Sequence, residues 1–316
     1  MTQAPDLSVV TSLYRSAAHL RAFHERMSAA ARAVTESYEI VYVNDGSPDD
    51  SAAIVRSLAA ADPHVVLVDL ARNFGQAAAM FAGLAEAGGA YVFAIDGDLE
   101  EPPELLSAFH ARLLAEAATT DVVYGVMTAR KGGWVERAAG TAFYALLSRL
   151  SDVKVAPNQL WARLMTRRYV DAVLEFGETQ LYAGGVFQLA GYGQTACPVV
   201  KTSKGYSAYT LARRAASALD ALTSVSIRPL VYVSLAGLAI ACLGILAALY
   251  LIFRRLVFTQ YLVGWTSLIV SVWLVGGLMI AATGLVGIYV GKTYLEVKRR
   301  PRAVVRGVER ARENVV

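Results

Sequence analysis

Five carboxylates follow a short apolar run in the first third of the chain. The segment AIDGDLEEPPE contains Asp96, Asp98, Glu100, Glu101 and Glu104, and no Lys or Arg lies among them. Like charges this close repel one another, so the cluster either lies wholly in water or binds a cation. Mg²⁺ or Mn²⁺ suits such oxygens, because these ions are commonly held by one or two carboxylates together with the oxygens of a substrate diphosphate.

A further carboxylate, Asp45, ends another apolar run in the segment VNDGSPDD. Gly46 and Ser47 suit a turn after it, and the two aspartates at the end of the segment suit the start of a helix. Taken alone, Asp45 could simply form the turn or cap the helix. Two acidic strand ends at one edge of a sheet, Asp45 and Asp96, favour a nucleotide-sugar site instead.

The elements that must position these carboxylates alternate between β-rich and alanine-rich runs. The runs typical of strands are LSVVTSLY, YEIVYVNDG, HVVLVDLAR, YVFAIDGD and DVVYGVMT, and those typical of helices lie around residues 16–33, 49–61, 76–87 and 103–116. This alternation predicts an α/β fold with a mostly parallel sheet and right-handed crossovers. Ligands bind at the carboxyl ends of the strands in such sheets, and the acidic run begins there.

Two long uncharged runs follow this domain, Pro229–Phe253 and Leu256–Gly291. At ~1.5 Å per residue, each can cross a hydrocarbon core of roughly 30 Å as a helix. Buried core helices are the alternative, but core helices this long usually carry a charge. The sequence therefore predicts two transmembrane helices within residues 229–291.

Basic residues lie on both sides of the predicted spans, while only Arg254 and Arg255 lie between them. This distribution predicts a multi-pass protein of the plasma (inner) membrane with its main domain and both termini in the cytoplasm. Residues 208–228 are amphipathic and, because they adjoin the spans, predict an interfacial helix. The amphipathic segment from Trp134 to Ser151 fits a membrane surface and packing on the sheet domain equally well. Residues 292–316 predict a basic cytoplasmic tail. The net charge of +4 is modest, and the excess of basic residues lies near the spans. This position favours contact with anionic lipid rather than nucleic acid.

Four segments in order along the chain resemble one enzyme family: VNDGSPDDS, ARNFGQAAAMFAGLAEAGG, AIDGDLEEPPELL and GIYVGKTYLEVKRRPRAVV. They are similar to the family 2 glycosyltransferases of GT-A fold that act on polyprenyl phosphates, such as dolichol-phosphate mannose synthase and the bactoprenol glucosyltransferases. The resemblance implies a Rossmann-like GT-A domain over residues 1–207. It also implies inverting transfer of a sugar from a nucleoside diphosphate to a lipid phosphate of the undecaprenyl-phosphate type, at the cytoplasmic membrane face.

The resemblance assigns the donor side of the site to five residues. It implies that Asp45 binds the nucleotide, that Asp96 lies near the ribose and the metal, and that Asp98 is the principal metal ligand. Arg72 and Asn73 match a segment that lines the donor pocket in the family. The expected cofactor is Mg²⁺ or Mn²⁺.

The resemblance assigns the phosphates and the acceptor side to basic and hydroxyl residues. Arg130 matches a basic position near the phosphates, and Arg163 matches the arginine of an RLM segment. Lys204, Ser207 and Tyr209 fall in a loop similar to the acceptor-side loop of the family. For Arg130, Arg163 and Lys204, a merely solvated charge remains the alternative.

The chain departs from the family at several positions. TSLYRSA stands where many relatives have P-x-Y-N-E, Glu100 stands where Gln is usual, and Met127 stands where an Arg is frequent. Trp161 occupies the position of an aspartate that is sometimes proposed as the catalytic base. A base can therefore not be assigned, and we expect the ionised acceptor phosphate to attack without one.

Other function classes fit less well. A processive polysaccharide synthase would carry Gln-x-x-Arg-Trp, whereas Gln159, Trp161 and Arg163 occur in another order, and two spans are too few for a polymer channel. A dinucleotide oxidoreductase would carry G-x-G-x-x-G after the first strand. A membrane-anchored pseudoenzyme that binds nucleotide sugar without turnover remains open, as do another acceptor, the identity of the sugar and assembly into a homo-oligomer.

Overall fold

The computed structural model describes residues 4–127, 159–178, 183–200, 223, 226–258 and 264–310. Four predicted site residues lie outside these ranges, namely Arg130, Lys204, Ser207 and Tyr209. The predicted amphipathic segment 134–151 and almost all of 208–228 lie outside them as well. The described residues form two compact units, a sheet unit and a unit of two long helices.

The sheet unit alternates strands and helices as the sequence pattern predicts. Its first half contains β1 (Leu7–Leu13), α1 (Leu20–Arg32), β2 (Tyr38–Asn44), α2 (Ser51–Ala59), β3 (Val65–Leu70), α3 (Gln76–Glu86), β4 (Tyr91–Ala94), α4 (Leu105–Ala115) and β5 (Val122–Met127). Next come β6 (Gln159–Thr166), α5 (Arg167–Glu175), α6 (Ala183–Leu189) and β7 (Gln194–Val199). After the long helices α7 (Arg228–Phe258) and α8 (Trp265–Val297), β8 (Val305–Arg310) completes the unit.

The eight strands form one sheet in the order β7-β5-β6-β4-β1-β2-β3-β8. Strands β1 to β4 pair in parallel, β5 pairs in parallel with β7, and β6 and β8 run antiparallel to their neighbours. Helices α1, α2 and α4 cover one face, where Phe23 and Phe109 are buried. Helices α3, α5 and α6 cover the other, where Met80 and Phe187 are buried. Because β4, β1 and β2 are adjacent and parallel, their carboxyl ends meet at one edge of the sheet, as predicted.

The C-terminal segment corrects one predicted boundary. Residues 292–316 are predicted to be a basic tail outside the sheet domain, but α8 continues to Val297 and residues 305–310 form β8. This strand pairs antiparallel with β3, from Val66 opposite Arg310 to Leu70 opposite Val305. All the side chains of β8 are exposed. Because neither face is buried, the sequence shows little of the apolar and polar alternation that marks a half-buried strand.

The second unit contains the two helices that are long and apolar enough to cross a membrane. Their apolar stretches, Arg228–Ala247 and Ser271–Val297, are not buried within the protein. Large side chains such as Leu246, Trp273 and Ile280 are 62%, 79% and 76% exposed. Contiguous apolar surface of this kind is typical of contact with lipid or with another protein.

Candidate active site

The acidic loop after β4 presents two part-exposed aspartates at the carboxyl edge of the sheet. The Ile95 amide donates a hydrogen bond to the carbonyl oxygen of Val10, so the chain follows β1 as far as the loop. Gln76 Nε2 donates to Asp96 Oδ2 over 3.1 Å, and the Glu100 amide donates to Asp98 Oδ1 over 2.8 Å. Asp98 Oδ2 has no hydrogen bond from any residue in the described part of the chain. The loop thus places Asp96 and Asp98 where a ligand can reach them.

Glu101, in contrast, is buried and holds this loop against β6. Its Oε1 accepts a hydrogen bond from the Trp161 amide over 3.1 Å, and its Oε2 accepts one from the Ala162 amide over 2.8 Å. The side chain is 1% exposed. A carboxylate that accepts backbone hydrogen bonds with both oxygens has a structural role. The sequence contains no signal that separates Glu101 from its acidic neighbours.

Glu104 also has a role apart from the site. It forms an ion pair with Arg26 of α1, with Nη2 and Oε2 2.7 Å apart. The hydrogen bond from Arg26 lowers the pKa of Glu104, so the carboxylate is ionised at neutral pH. The five clustered carboxylates are therefore tolerated because two of them are held by other partners.

Asp45 lies at the end of β2 and is 2% exposed. Its Oδ1 accepts a hydrogen bond from the Phe74 amide over 2.6 Å, and its Oδ2 accepts one from the Gly75 amide over 2.9 Å. These bonds fix the loop that leads into α3. Since Gln76 at the start of α3 contacts Asp96, Asp45 and the acidic loop belong to one hydrogen-bonded arrangement.

The loop from Arg72 to Phe74 lies against the turn at Gly46. Gly46 has a φ of +57°, and a Cβ added there would lie 2.5 Å from the backbone of Arg72 and Asn73. Only glycine fits this close approach without displacing the loop. Arg72 and Asn73 are exposed at this edge, and the Arg72 guanidinium lies 4.0 Å from the centre of the Phe74 ring. The predicted donor-side residues therefore gather at one edge of the sheet.

Asp49 connects the loops that follow β1 and β2. Its Oδ1 accepts hydrogen bonds from the hydroxyls of Ser47 and Ser51, each over 2.6 Å, and its Oδ2 accepts one from the Ala17 amide over 3.1 Å. Burial opposes ionisation, but these hydrogen bonds outweigh it and lower the pKa of Asp49 to about 2. The loop that departs from the family pattern is thus fixed by a carboxylate that stays ionised.

Arg163 lies on β6 and is 3% exposed, unlike a residue that binds phosphate at the surface. Its guanidinium stacks on Phe187 at 3.6 Å from the ring centre, and its Nη2 donates to the carbonyl oxygen of Leu160 over 3.3 Å. Burial lowers the pKa of Arg163 to about 10, so the side chain is still charged at neutral pH. Arg163 is buried opposite Ala94, the last residue of β4, and is not exposed as Asp98 is. Its contacts with Phe187 and Leu160 fit a structural residue, and the catalytic role implied by the resemblance stays a prediction.

The donor atoms at this edge fit a divalent cation that is shared with a substrate. Across the described ranges, no three His, Cys, Asp or Glu side chains converge on a point that could hold a metal alone. Asp98, one of whose oxygens has no partner among the described residues, and Asp96 in the same loop match the one or two carboxylates that Mg²⁺ or Mn²⁺ uses. The remaining ligands would come from a diphosphate and water.

Residues 8–174 match the model of one family, described as glycosyl transferase family 2. The chain belongs to glycosyl transferase family 2. A Mycobacterium tuberculosis protein whose name assigns it to the glycosyltransferases is 41% identical, covering 96% of this chain and 88% of its own. Bacillus subtilis YkcC, named as an uncharacterized glycosyltransferase, is 31% identical over 99% and 98% of the two chains. The Shigella flexneri SfII prophage-derived bactoprenol glucosyl transferase is 31% identical over 95% and 97%.

Family membership confirms the resemblance seen in the sequence, and the chain is a glycosyltransferase with the predicted GT-A type of α/β fold. Among solved structures, a mannosyltransferase from Pyrobaculum calidifontis in complex with GDP-Man and Mn²⁺ is similar, at 17% identity and a TM-score of 0.47. The alignment covers 94% of this chain and 88% of that one. The roles of the individual site residues remain predictions.

Proposed function

We propose that this family 2 glycosyltransferase transfers a sugar, with inversion, from a nucleoside diphosphate to a polyprenyl phosphate at the cytoplasmic face of the plasma membrane. The observation that carries the proposal is the similarity to the SfII bactoprenol glucosyl transferase, which extends over 95% of this chain. That alignment includes more than the sheet unit, because it must also cover the two apolar helices. An acceptor that is itself a lipid explains why a soluble type of catalytic domain precedes such helices.

On the donor side, we assign metal binding to Asp98 with Asp96, and contact with the nucleotide sugar to Arg72 and Asn73. A bound Mg²⁺ or Mn²⁺ would supply positive charge for the leaving diphosphate. Asp45 supports this side by holding the amides of Phe74 and Gly75. The nucleotide pocket then depends on a buried carboxylate that fixes the backbone around it, in addition to any direct contact.

On the acceptor side, the chemistry requires no protein base. The second ionisation of a phosphate monoester has a pKa of ~6, so most of a polyprenyl phosphate is a dianion at neutral pH and can attack directly. An aspartate is then dispensable at position 161, where Trp161 packs edge-to-face on Phe187 with ring centres 6.3 Å apart. Positive charge must hold the acceptor in line, and we assign this role to Arg130 and Lys204. We assign Ser207 and Tyr209, from the same predicted loop as Lys204, to the acceptor side as well.

The two helices serve to keep the enzyme beside its lipid. Both are long and apolar enough to cross a bilayer, and basic residues before the first and after the second favour a cytoplasmic location for both termini. In this arrangement, the sheet unit would act on the phosphate group at the membrane surface. The helices themselves would take no part in the chemistry.

A panel of nucleotide sugars tests the proposal. Purified full-length protein in detergent is incubated with each donor, a short polyprenyl phosphate and Mn²⁺ or Mg²⁺, and released nucleoside diphosphate is measured. We expect release with at least one donor, dependent on both the lipid phosphate and the metal. Release that is unaffected by EDTA would contradict the metal assignment, and thermal stabilisation by a donor without any release would favour a pseudoenzyme.

A further inference from the structure

The segment after the second apolar helix reaches the loop that leads to the donor side of the site. Strand β8 pairs with β3 along its length, and the Ala71 amide donates a hydrogen bond to the carbonyl oxygen of Val304 over 2.9 Å. Ala71 directly precedes Arg72 in the chain. The contact with β8 therefore extends past the end of β3, into the loop whose other end is fixed by Asp45.

Arg306 makes the side-chain contacts at this end of β8. Its Nη1 donates to Asp69 Oδ2 over 3.1 Å, and its Nη2 donates to the carbonyl oxygen of Ala71 over 3.0 Å. Asp69 is 5% exposed, so its charge needs a partner. The Arg306 guanidinium thus holds both the carboxyl end of β3, at Asp69, and the first residue of the loop, Ala71.

The contact continues from Asp69 to the turn after β2. Asp69 Oδ1 accepts a hydrogen bond from Asn44 Nδ2 over 2.7 Å, and Asn44 Oδ1 accepts one from the Ser47 amide over 3.1 Å. The turn at Gly46 lies between these residues and touches the backbone of Arg72. Arg306 therefore acts on the Arg72 loop by two routes, directly through Ala71 and indirectly through Asp69 and Asn44.

We infer that Arg306 is a positioning residue of the donor site, so that the strand following the apolar helices is needed to complete that site. The effect on donor binding rests on the proposed function, whereas the effect on the order of the loop does not. Without the guanidinium, the Ala71 carbonyl and Asp69 lose their shared partner. The loop from Arg72 to Gly75 then becomes less ordered, and a nucleotide must order it on binding.

Arg310 on the same strand is a matched control. It lies four residues further along β8, and the side chains of Arg306 and Arg310 are 63% and 52% exposed. It likewise contacts a buried carboxylate, with Nη1 3.0 Å from Glu39 Oε2, and a carbonyl oxygen, that of Glu86 at 3.2 Å. These contacts lie at the amino end of β3, opposite Val66 and far along the strand from the Arg72 loop.

The test compares full-length Arg306→Gln, Arg306→Lys and Arg310→Gln with the unmodified protein. The Arg306→Gln variant should fold, because Arg56 Nη2 remains 3.8 Å from Asp69. The readouts are amide hydrogen exchange in peptides covering residues 71–76, the KM for the donor, kcat and the Tm. Exchange at the Phe74 and Gly75 amides reports the order of the loop without any substrate.

We expect Arg306→Gln to speed exchange at these amides and to raise the donor KM roughly tenfold, equivalent to about 1.4 kcal/mol, with little change in kcat. Arg306→Lys should restore part of the slow exchange and part of the low donor KM. Arg310→Gln should leave exchange at these amides and the donor KM unchanged, although it should lower the Tm about as much as Arg306→Gln does. Equal effects of the two glutamine variants, or unchanged exchange and KM in Arg306→Gln, would overturn the inference. If no donor reacts even with the unmodified protein, the proposed function fails, while the exchange comparison still decides the role of Arg306.

Discussion

Asp98 and Glu101 lie three positions apart in one acidic loop, yet their surroundings give them opposite roles. One oxygen of Asp98 accepts no hydrogen bond from the described residues, whereas both oxygens of Glu101 accept hydrogen bonds from backbone amides of β6. Burial and hydrogen bonding, rather than residue type, distinguish the carboxylate that can bind a cation from the one that holds the loop. The same distinction separates Asp96 from the buried Asp45.

Asp98→Asn tests the metal assignment. The substitution keeps the size of the side chain and removes its charge, so turnover should fall by roughly a hundredfold or more, since charge stabilisation of this kind is worth that much. The Tm should change little, because Asp98 is part-exposed. Glu100→Gln, two residues on, is the control and should stay active, since Gln is usual there in the family. Normal turnover by Asp98→Asn would rule out the assignment.

Gly46→Ala tests whether the turn after β2 supports the donor loop. The new Cβ would meet the backbone of Arg72 and Asn73, and the φ of +57° is unfavourable for alanine. We expect a higher donor KM and a lower Tm. The control is Gly88→Ala, whose Cβ would have its nearest contact at 3.5 Å, with Pro5. If the two alanine variants have the same donor KM, the turn does not support the site.

At the scale of the elements, local patterns predict some strands and not others. The runs that predict β1 to β5 are apolar and end in turn residues, which matches strands buried on both faces of a parallel sheet. Strand β6 was not predicted, because Arg163 interrupts its apolar pattern and is accommodated by stacking on Phe187 and a hydrogen bond to the Leu160 carbonyl. Strand β8 was not predicted, because its polar sequence VRGVER pairs with a strand more than two hundred residues earlier.

As with the strands, the sequence predicts some residues of the candidate site and misses others. Asp45, Asp96 and Asp98 follow apolar runs, and in a parallel sheet that position alone brings them to one edge. The supporting contacts of Glu101, Gln76 and Arg306 were missed, because each joins segments that are distant in the sequence. The placement of Arg163 was missed for a related reason, since burial of a charge depends on the aromatic side chains around it.

The hydrogen bonds by which Asp49 connects the loops after β1 and β2 should weaken in acid as Asp49 is protonated. Its folded pKa is about 2, below the value of ~3.9 for an unfolded chain, so its contribution to stability is complete above pH ~4 and is lost as the pH falls towards 2. The Tm difference between the unmodified protein and Asp49→Asn should therefore be constant above pH ~4.5 and shrink below it. Asp50→Asn controls for the loss of one charge. A Tm difference that does not vary with pH would contradict this account.

At the scale of the whole chain, the sheet unit is assembled from both sides of the apolar helices. The described residues up to 199 supply seven strands of the sheet, and the eighth comes from beyond α8. The predicted end of the catalytic domain at residue 207 therefore leaves out a strand. An edge strand with exposed charges also covers β3, which would otherwise offer its unpaired backbone groups to other chains.

Ending the chain at Arg299 tests the need for this strand while keeping both helices. Without β8, the edge of β3 is exposed and Asp69 loses Arg306, so we expect a lower Tm, some aggregation and a higher donor KM. A chain that ends at Arg310 keeps the strand and should behave like the full-length protein. Should the two shortened chains have equal Tm and donor KM, β8 is dispensable.

The product bond tests the central claim most directly. Full-length protein in vesicles is supplied with polyprenyl phosphate, metal and the donor found in the panel, and the lipid product is analysed by mass spectrometry and for its anomeric configuration. The account predicts a lipid in which one phosphate joins the polyprenol to the sugar, with inverted configuration, formed in equal amount to the released nucleoside diphosphate and absent with Asp98→Asn. A lipid diphosphate accompanied by nucleoside monophosphate, or nucleotide release without any glycosylated lipid, would contradict it.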